Sequence, residues 1–299
     1  MSQFSAIDLE KLPAPDVIET LDFETIFSAL LAELTEAYPE FSADVESDPA
    51  YKILQVSAYR ELMLRAEIND RIKALLLAYA RGANLDHIVA SYYRLQREIV
   101  SPGDESAIPP VAPKYEDDDR LRYRSQLSYE GYSTAGPEGS YIFHALAASP
   151  LVKDASVQSP TPGVVVVTVL SNDGAGIASD ALLQTVNAHL NDKTIRPLTD
   201  QVLVQSAEVI PFTVEAELIL FSGPDESVVE QAALIALDDY LNARHRLGHD
   251  ITLSGMYAAL HQPGVQQVNL LSPAQNILVQ RSQVAWNTEK KITLGGRGE

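Results

Sequence analysis

The chain has 299 residues, 46% of them apolar, with 41 acidic against 22 basic side chains, a formal charge of −19 and no cysteine. So acidic a surface repels phosphate backbones and anionic lipid, which argues against nucleic-acid and membrane partners. The missing thiols exclude disulfides and cysteine nucleophiles, and no apolar run approaches the roughly 20 residues of a membrane span. The opening MSQFSAIDLEKLPAPDV lacks the basic start and apolar stretch of a secretion signal, so the expectation is a chain made in the cytoplasm.

Leu12-Pro13-Ala14-Pro15 reads as an extended opening, because each proline fixes its own φ and restricts its neighbour. From Asp22 the spacing turns helical, with Phe23, Ile26, Phe27, Leu30, Leu31 and Leu34 at steps of three and four until Pro39. Asp48-Pro49 then has the form of an N-cap and a first-turn proline. A long helix is expected from there to Arg81, ended by Gly82 as a C′ glycine, with Asn84 capping a further short helix. Leu64, Ile68, Ile72, Leu75 and Tyr79 form one stripe on the long helix, while Ile53, Val56, Tyr59 and Met63 fall off it. Its apolar surface is therefore too wide for one packing partner.

Residues 99–114, IVSPGDESAIPPVAPK, hold four prolines without periodicity and read as a linker. In 116-EDDDRLRYRSQL-127 the carboxylates suit a first helical turn. A cation site is the weaker reading, because Arg120, Arg122 and Arg124 follow at once. Beyond Pro150, 163–170 is a continuous apolar run of the kind that forms a buried strand. Leu182, Val186 and Leu190 mark a helix, 212-FTVEAELIL-220 alternates as a half-buried strand, and 225–243 is helical through Val229, Ala233, Ala236 and Tyr240. The glycine-rich end, 295–299, reads as a frayed tail.

Two stretches, 150-PLVKDASVQSP-160 and 263-PGVQQVNLLSP-273, align without a gap and share both prolines, a valine and a serine. Each follows an expected helix (141–148 and 253–261) and precedes an expected strand (164–170 and 277–279), so the simple reading is a duplicated unit. The organisation expected is α+β: a helical N-terminal region over 1–98, the linker over 99–114, a first α/β unit over 115–200, and a related second unit over 201–299 with a flexible tail.

Residue types that build active sites cluster at His245, His249, Asp250, Ser254 and His261. Ser254 lacks the first glycine of a GxSxG elbow. His245 and His249 have the i, i+4 spacing of a metal pair, but Gly248 interrupts them and no HExxH glutamate is present. The plainer reading is a glycine-ended helix followed by one capped by Thr252 or Asp250, with Met256, Tyr257 and Leu260 facing inward. Asn172-Asp-Gly-Ala-Gly176 sits where a phosphate loop would, without its lysine or glycine spacing. Catalytic, cofactor and metal sites are all expected to be none.

The stretches 12-LPAPDVIETLDFE-24, 48-DPAYKILQVSAYRELMLRAEIN-69, 78-AYARGANLDHIVA-90, 134-TAGPEGSYIFHALAASP-150, 196-RPLTDQVLV-204 and 247-LGHDITLSGMYAALHQPGVQQVNLLSP-273 resemble, in this order, the baseplate J family. These are wedge proteins of contractile phage tails and phage-derived tailocins. The linker and the last two dozen residues carry no part of the likeness. The resemblance implies a structural, non-enzymatic subunit, assembled in the host cytoplasm into the tail baseplate and rearranging its contacts when the sheath contracts. The partners it implies are other wedge proteins and a second copy of the chain in a ring of six-fold symmetry, with the hub reached indirectly. Leu64, Ile68, Ile72 and Leu75 become candidates for a partner interface, the bland reading being that they pack within the N-terminal region. The competing functional reading is a tail-associated serine hydrolase using Ser254 with a histidine.

Overall fold

The computed structural model describes residues 7, 9–13, 15–40, 48–133, 135–223 and 225–297, so Ala14 and Thr134 of the quoted stretches and the last two residues of the tail lie outside. The architecture is α+β, in two compact units, Ile7–Arg97 and, beyond it, Glu98–Glu299. No helix among the described residues is long and apolar enough to cross a membrane.

The first unit is helical. Helix α1 (Phe23–Ala37) starts where Asp22 accepts the Thr25 N–H at 2.8 Å. Helix α2 (Pro49–Lys73) starts where Asp48 accepts the Ala50 N–H, with proline in its first turn. Contrary to expectation, α2 does not reach Arg81: it stops at Lys73, and successive turns occupy 74–79. Gly82 does not close α2 but opens α3 (Gly82–Ile88) at φ 51°, so Asn84 is an interior residue of α3 and Arg81 stands at the cap. A left-handed backbone angle suits glycine at a helix entrance as well as at an exit.

The second unit begins with a paired loop. Strands β1 (Ile99–Ser101) and β2 (Lys114–Tyr115) run antiparallel, and Asp104 and Val111 bridge above them. The proline-rich segment therefore folds back on itself, its two ends side by side. Helix α4 (Asp118–Leu127) follows, capped by Asp117 through the Arg120 N–H.

Helix α5 (Glu138–Ala148) leads into a three-stranded sheet of β3 (Val152–Thr161), β4 (Val164–Ser171) and β5 (Gln201–Ser206), with α6 (Asp180–Leu190) between the last two. The order is β3-β4-β5, antiparallel then parallel. Val167 and Val169 of the central strand are fully buried and pack with Ile142, Leu146, Val186 and Leu190 of the helices. This burial of the middle strand is what its unbroken valine run encodes.

Strand β6 (Glu208–Leu220) is central to the second sheet, flanked by β7 (Val265–Ser272) antiparallel and β8 (Gln283–Arg297) parallel. Its alternation is read out as expected: Val214, Ala216, Leu218 and Leu220 are buried. They pack against Val229, Ala233 and Leu237 of α7 (Glu226–Arg244) and Met256 and Leu260 of α8 (Leu253–Leu260).

Three expectations for this region change. β5, placed in the second unit by a division at 200/201, is hydrogen-bonded into the first sheet, and only Ala207 separates it from β6. The run 201–220 is thus one nearly continuous extended segment that leaves one sheet and enters the other. The tail does not fray at Gly295: β8 pairs along β6 as far as Arg297. Finally, 277–279 is not a strand; Ile277 makes an isolated bridge to Ile251. The aligned stretches do form matching helix–strand pairs, α5–β3 and α8–β7, each strand an antiparallel edge. In the first sheet that pair precedes the central strand and its following helix; in the second it comes after them. A plain tandem repeat does not give that order.

Candidate partner interface

In the helical unit, α2 carries apolar side chains on two opposite faces. One face packs on α1, where Tyr51, Leu54, Ala58 and Leu62 meet Phe23, Ile26, Phe27, Leu30 and Leu31. Farther along, the buried Asn69 exchanges hydrogen bonds with the backbone of Glu19, at 3.1 and 2.9 Å, tying the incoming chain to the helix. Among the described residues of this cluster only Ile26, Phe27 and Ala58 are buried. Ala80, Leu85, Ile88 and Val89, farther along the same unit, are buried as well.

The opposite face holds Ile53 and Val56, 67% and 63% exposed, with Tyr59, Met63 and Leu64 exposed beside them. The band ends at the Glu67–Arg71 ion pair, 2.5 Å, which is exposed and one turn apart on the helix. Leu64 and Ile68 lie on this outward side and are exposed. Ile72 is half-buried. The reason is geometric: steps of four advance about 40° around a helix, so a 64–68–72 row drifts toward the side that carries Leu54 and Asn69. Leu75 is 74% exposed but lies beyond the end of α2 and is not on its face. The outward band is centred on Ile53, Val56 and Met63, and the signal for it was their departure from the chosen stripe.

The catalytic-looking residues occupy structural posts. Thr252 caps α8 by accepting the Gly255 N–H at 3.2 Å, and the Ser254 hydroxyl lies 3.4 Å from the Thr252 hydroxyl. Asp250 accepts the Val279 N–H at 2.7 Å. His261 caps the C-terminus of α8, and Tyr257, expected to face inward, is exposed. His245 is buried at the end of α7. Among the described residues no group of three histidine or carboxylate side chains could hold a metal ion.

The charge-rich start of α4 conceals a feature that local sequence gives no sign of. Glu116 and Arg124 are buried, and the Arg120 side chain is nearly so. Arg120 and Arg124 both pair with Glu116 and with Glu98, the latter at 2.9 and 2.7 Å. Arg120 also donates to the carbonyls of Leu146 and Ser149, at 2.8 and 3.0 Å, which satisfies the open end of α5. Burial pushes the Glu98 carboxyl up, opposed by the two guanidinium groups, and pushes Arg124 down.

Three models of one family match the chain in order: the baseplate J-like N-terminal domain over 46–104, the central domain over 133–206, and the C-terminal domain over 212–293. Baseplate protein J of Escherichia phage P2 is 41% identical over 300 residues, covering 98% of this chain and 99% of that one. The chain belongs to the baseplate J family. It is a structural protein of that family and not an enzyme. A chain in the six-fold symmetrised cryo-EM structure of the anti-feeding prophage baseplate is also similar, at 17% identity and a TM-score of 0.44, over 60% of this chain and 43% of that one. The family boundaries follow the fold: the N-terminal match contains α2 and α3, and the central match ends at Ser206, the last residue of β5. The C-terminal match runs to 293, well into β8 and past the end of the quoted motifs.

Proposed function

We propose that this baseplate J chain is a wedge subunit of a contractile tail, and that the outward face of α2 joins it to another wedge protein or to a second copy of itself. The observation that carries the interface is the helix with two apolar faces, only one of which packs against an apolar partner among the described residues of the unit. A packed apolar face on one side and an exposed aliphatic band on the other are what a subunit joined to a partner through that band looks like. In this reading the chain takes its place in a ring of six-fold symmetry, touches the hub only through its neighbours, and passes on rearrangement when the sheath contracts. The serine-hydrolase alternative has no support, since Ser254 is hydrogen-bonded within a helix cap and the family is not enzymatic.

The test is the double variant Val56→Asp, Met63→Asp, co-expressed with the tail proteins encoded beside it. Both positions are exposed, so the isolated chain should fold as before. Capture of a wedge partner, or self-association, should weaken about a hundredfold or more, because each buried aliphatic side chain contributes about 1.5–3 kcal/mol. Unchanged assembly by the folded variant would falsify the interface.

A further inference from the structure

The two sheets of the second unit meet at a seam. Its apolar part is Leu170, Ala207, Leu247 and Val284, and its polar part centres on His245. The Nε2 atom of that ring lies 3.3 Å from the Ala175 carbonyl oxygen, and Nδ1 lies 2.6 Å from Lys153 Nζ. A carbonyl can only accept, so Nε2 carries the hydrogen; Nδ1 then offers a lone pair, into which the Lys153 ammonium donates. One neutral imidazole therefore ties together β3, the turn after β4 and the end of α7. The turn reaches the ring because Gly176 sits at φ 97°, where a Cβ would come within 2.3 Å of the Leu170 side chain. The ring also leans on Trp286, with centroids 5.0 Å apart. On that side it lines a cavity of about 130 Å³, with Phe212, Asp238, Leu241 and Lys290, through which water can reach it.

We propose that His245 is an acid-operated latch between the two sheets: neutral, it holds Lys153 and the Ala175 carbonyl together; protonated, it repels Lys153 and loosens the seam. Protonation would put a hydrogen on Nδ1 facing the ammonium, leaving two donors and two positive charges with no acceptor between them. Carboxylates nearby are engaged elsewhere. Asp154 of β3 accepts the N–H groups of Leu247 and Ala155 at 3.0 and 2.9 Å, Asp238 of α7 pairs with Lys290 of β8, and Asp117 caps α4. The remaining charged or titratable groups around the latch are Arg244 at the end of α7, Arg246 and His249 beyond it, and Tyr123 of α4, over whose ring Arg246 lies at 5.1 Å.

Burial first, and Lys153 second, hold the imidazole below its ordinary value of 6.5. Burial and Arg246 likewise hold Lys153 below the usual ammonium range. Below that ordinary value the open state binds more protons than the closed one. The latch is therefore fully engaged above pH 6.5 and is lost as pH falls through the depressed value. None of this depends on where the chain acts in a tail.

Trp286 is the only tryptophan, so the fluorescence of the full chain reports on the ring beside it. Titrated from about pH 8 to about pH 5, the interval in which histidines change charge, the wild type should show a transition below pH 6.5 that His245→Gln lacks. Lys153→Met should move the midpoint up toward 6.5. Across the same transition, protection of the Leu247 and Ser171 amides should fall about tenfold once the intrinsic pH dependence of exchange is divided out. His144 and His189 remain in every variant, so the difference between profiles isolates His245. An identical titration in His245→Gln overturns the proposal, and so does a fluorescence transition with no change in exchange at the seam. Should His245→Gln fail to fold by circular dichroism, the Lys153→Met midpoint decides alone, and an unmoved midpoint overturns the latch.

Discussion

Arg120 spends its guanidinium on two carboxylates and the end of a helix, so its removal takes one of two guanidinium partners from the fully buried Glu116 side chain and opens the α5 carbonyls. Breaking a buried pair by deleting one partner costs about 3–5 kcal/mol. Arg120→Met should lower the urea-unfolding stability of the second unit by about that much, and Arg120→Lys should not restore it, because a point charge cannot serve acceptors spread in a plane. The helix start was readable in EDDDRLRYRS because it is local. The tetrad was not, since Glu98 arrives from 22 residues earlier in the chain. Histidines make a second case. His144 and His189 lie with ring centroids 5.8 Å apart, their planes tilted by 51°, Nε2 of His189 is buried without a hydrogen-bond partner, and burial lowers both pKa values. A folded state that keeps these rings neutral has its full stability above pH 6.5 and loses it as pH falls below that value. Urea midpoints should therefore drop on acidification, and His189→Phe should flatten that dependence without abolishing it.

Periodicity located α1, α2, α6 and α7 well and failed at the C-terminal end of α2. Past Lys73 the apolar side chains Leu75, Leu76, Leu77 and Tyr79 continue to look helical, but the chain leaves the α-helix for a series of turns. The glycine that seemed to end one helix begins another. At the other terminus, the glycines that suggested fraying are carried by a strand whose register is set by β6 and not by its own composition. Gly295 lies so close to the Glu217 side chain that a Cβ there would come within 2.7 Å of it. Ending the chain at Asn287 should thus be severe: it strips Thr213–Leu220 of the parallel partner, and the product should lose cooperative unfolding by circular dichroism or become insoluble. A frayed end would tolerate the cut. Pro211 fits the same picture, since it occupies the half of β6 that β7 does not reach, where one side of the strand is open.

Family membership was legible because six separated strings occur in order, whereas each string alone is only helix and turn chemistry. The exposed band on α2 was half legible. Breadth of apolar surface on α2 is a property of sequence, but which arc faces α1 depends on packing, and the row chosen by steps of four drifted off the open side. The proline-rich segment changed most in form. Its tip, 105–110, lies beyond the Asp104–Val111 bridge with Ile108 fully exposed, while its base is paired. Limited proteolysis of the isolated subunit should cut within the tip and spare the base, giving two fragments of roughly one third and two thirds of the chain by mass spectrometry. Cleavage at the base first would contradict the paired loop. The extended run from Gln201 to Leu220 has a mechanical meaning as well. Its first half is laced in parallel to β4 and its second half to β8, so tension along it loads both ladders in shear, many rungs at a time, not one by one as in peeling. A tug on either sheet reaches the other through a taut covalent cable.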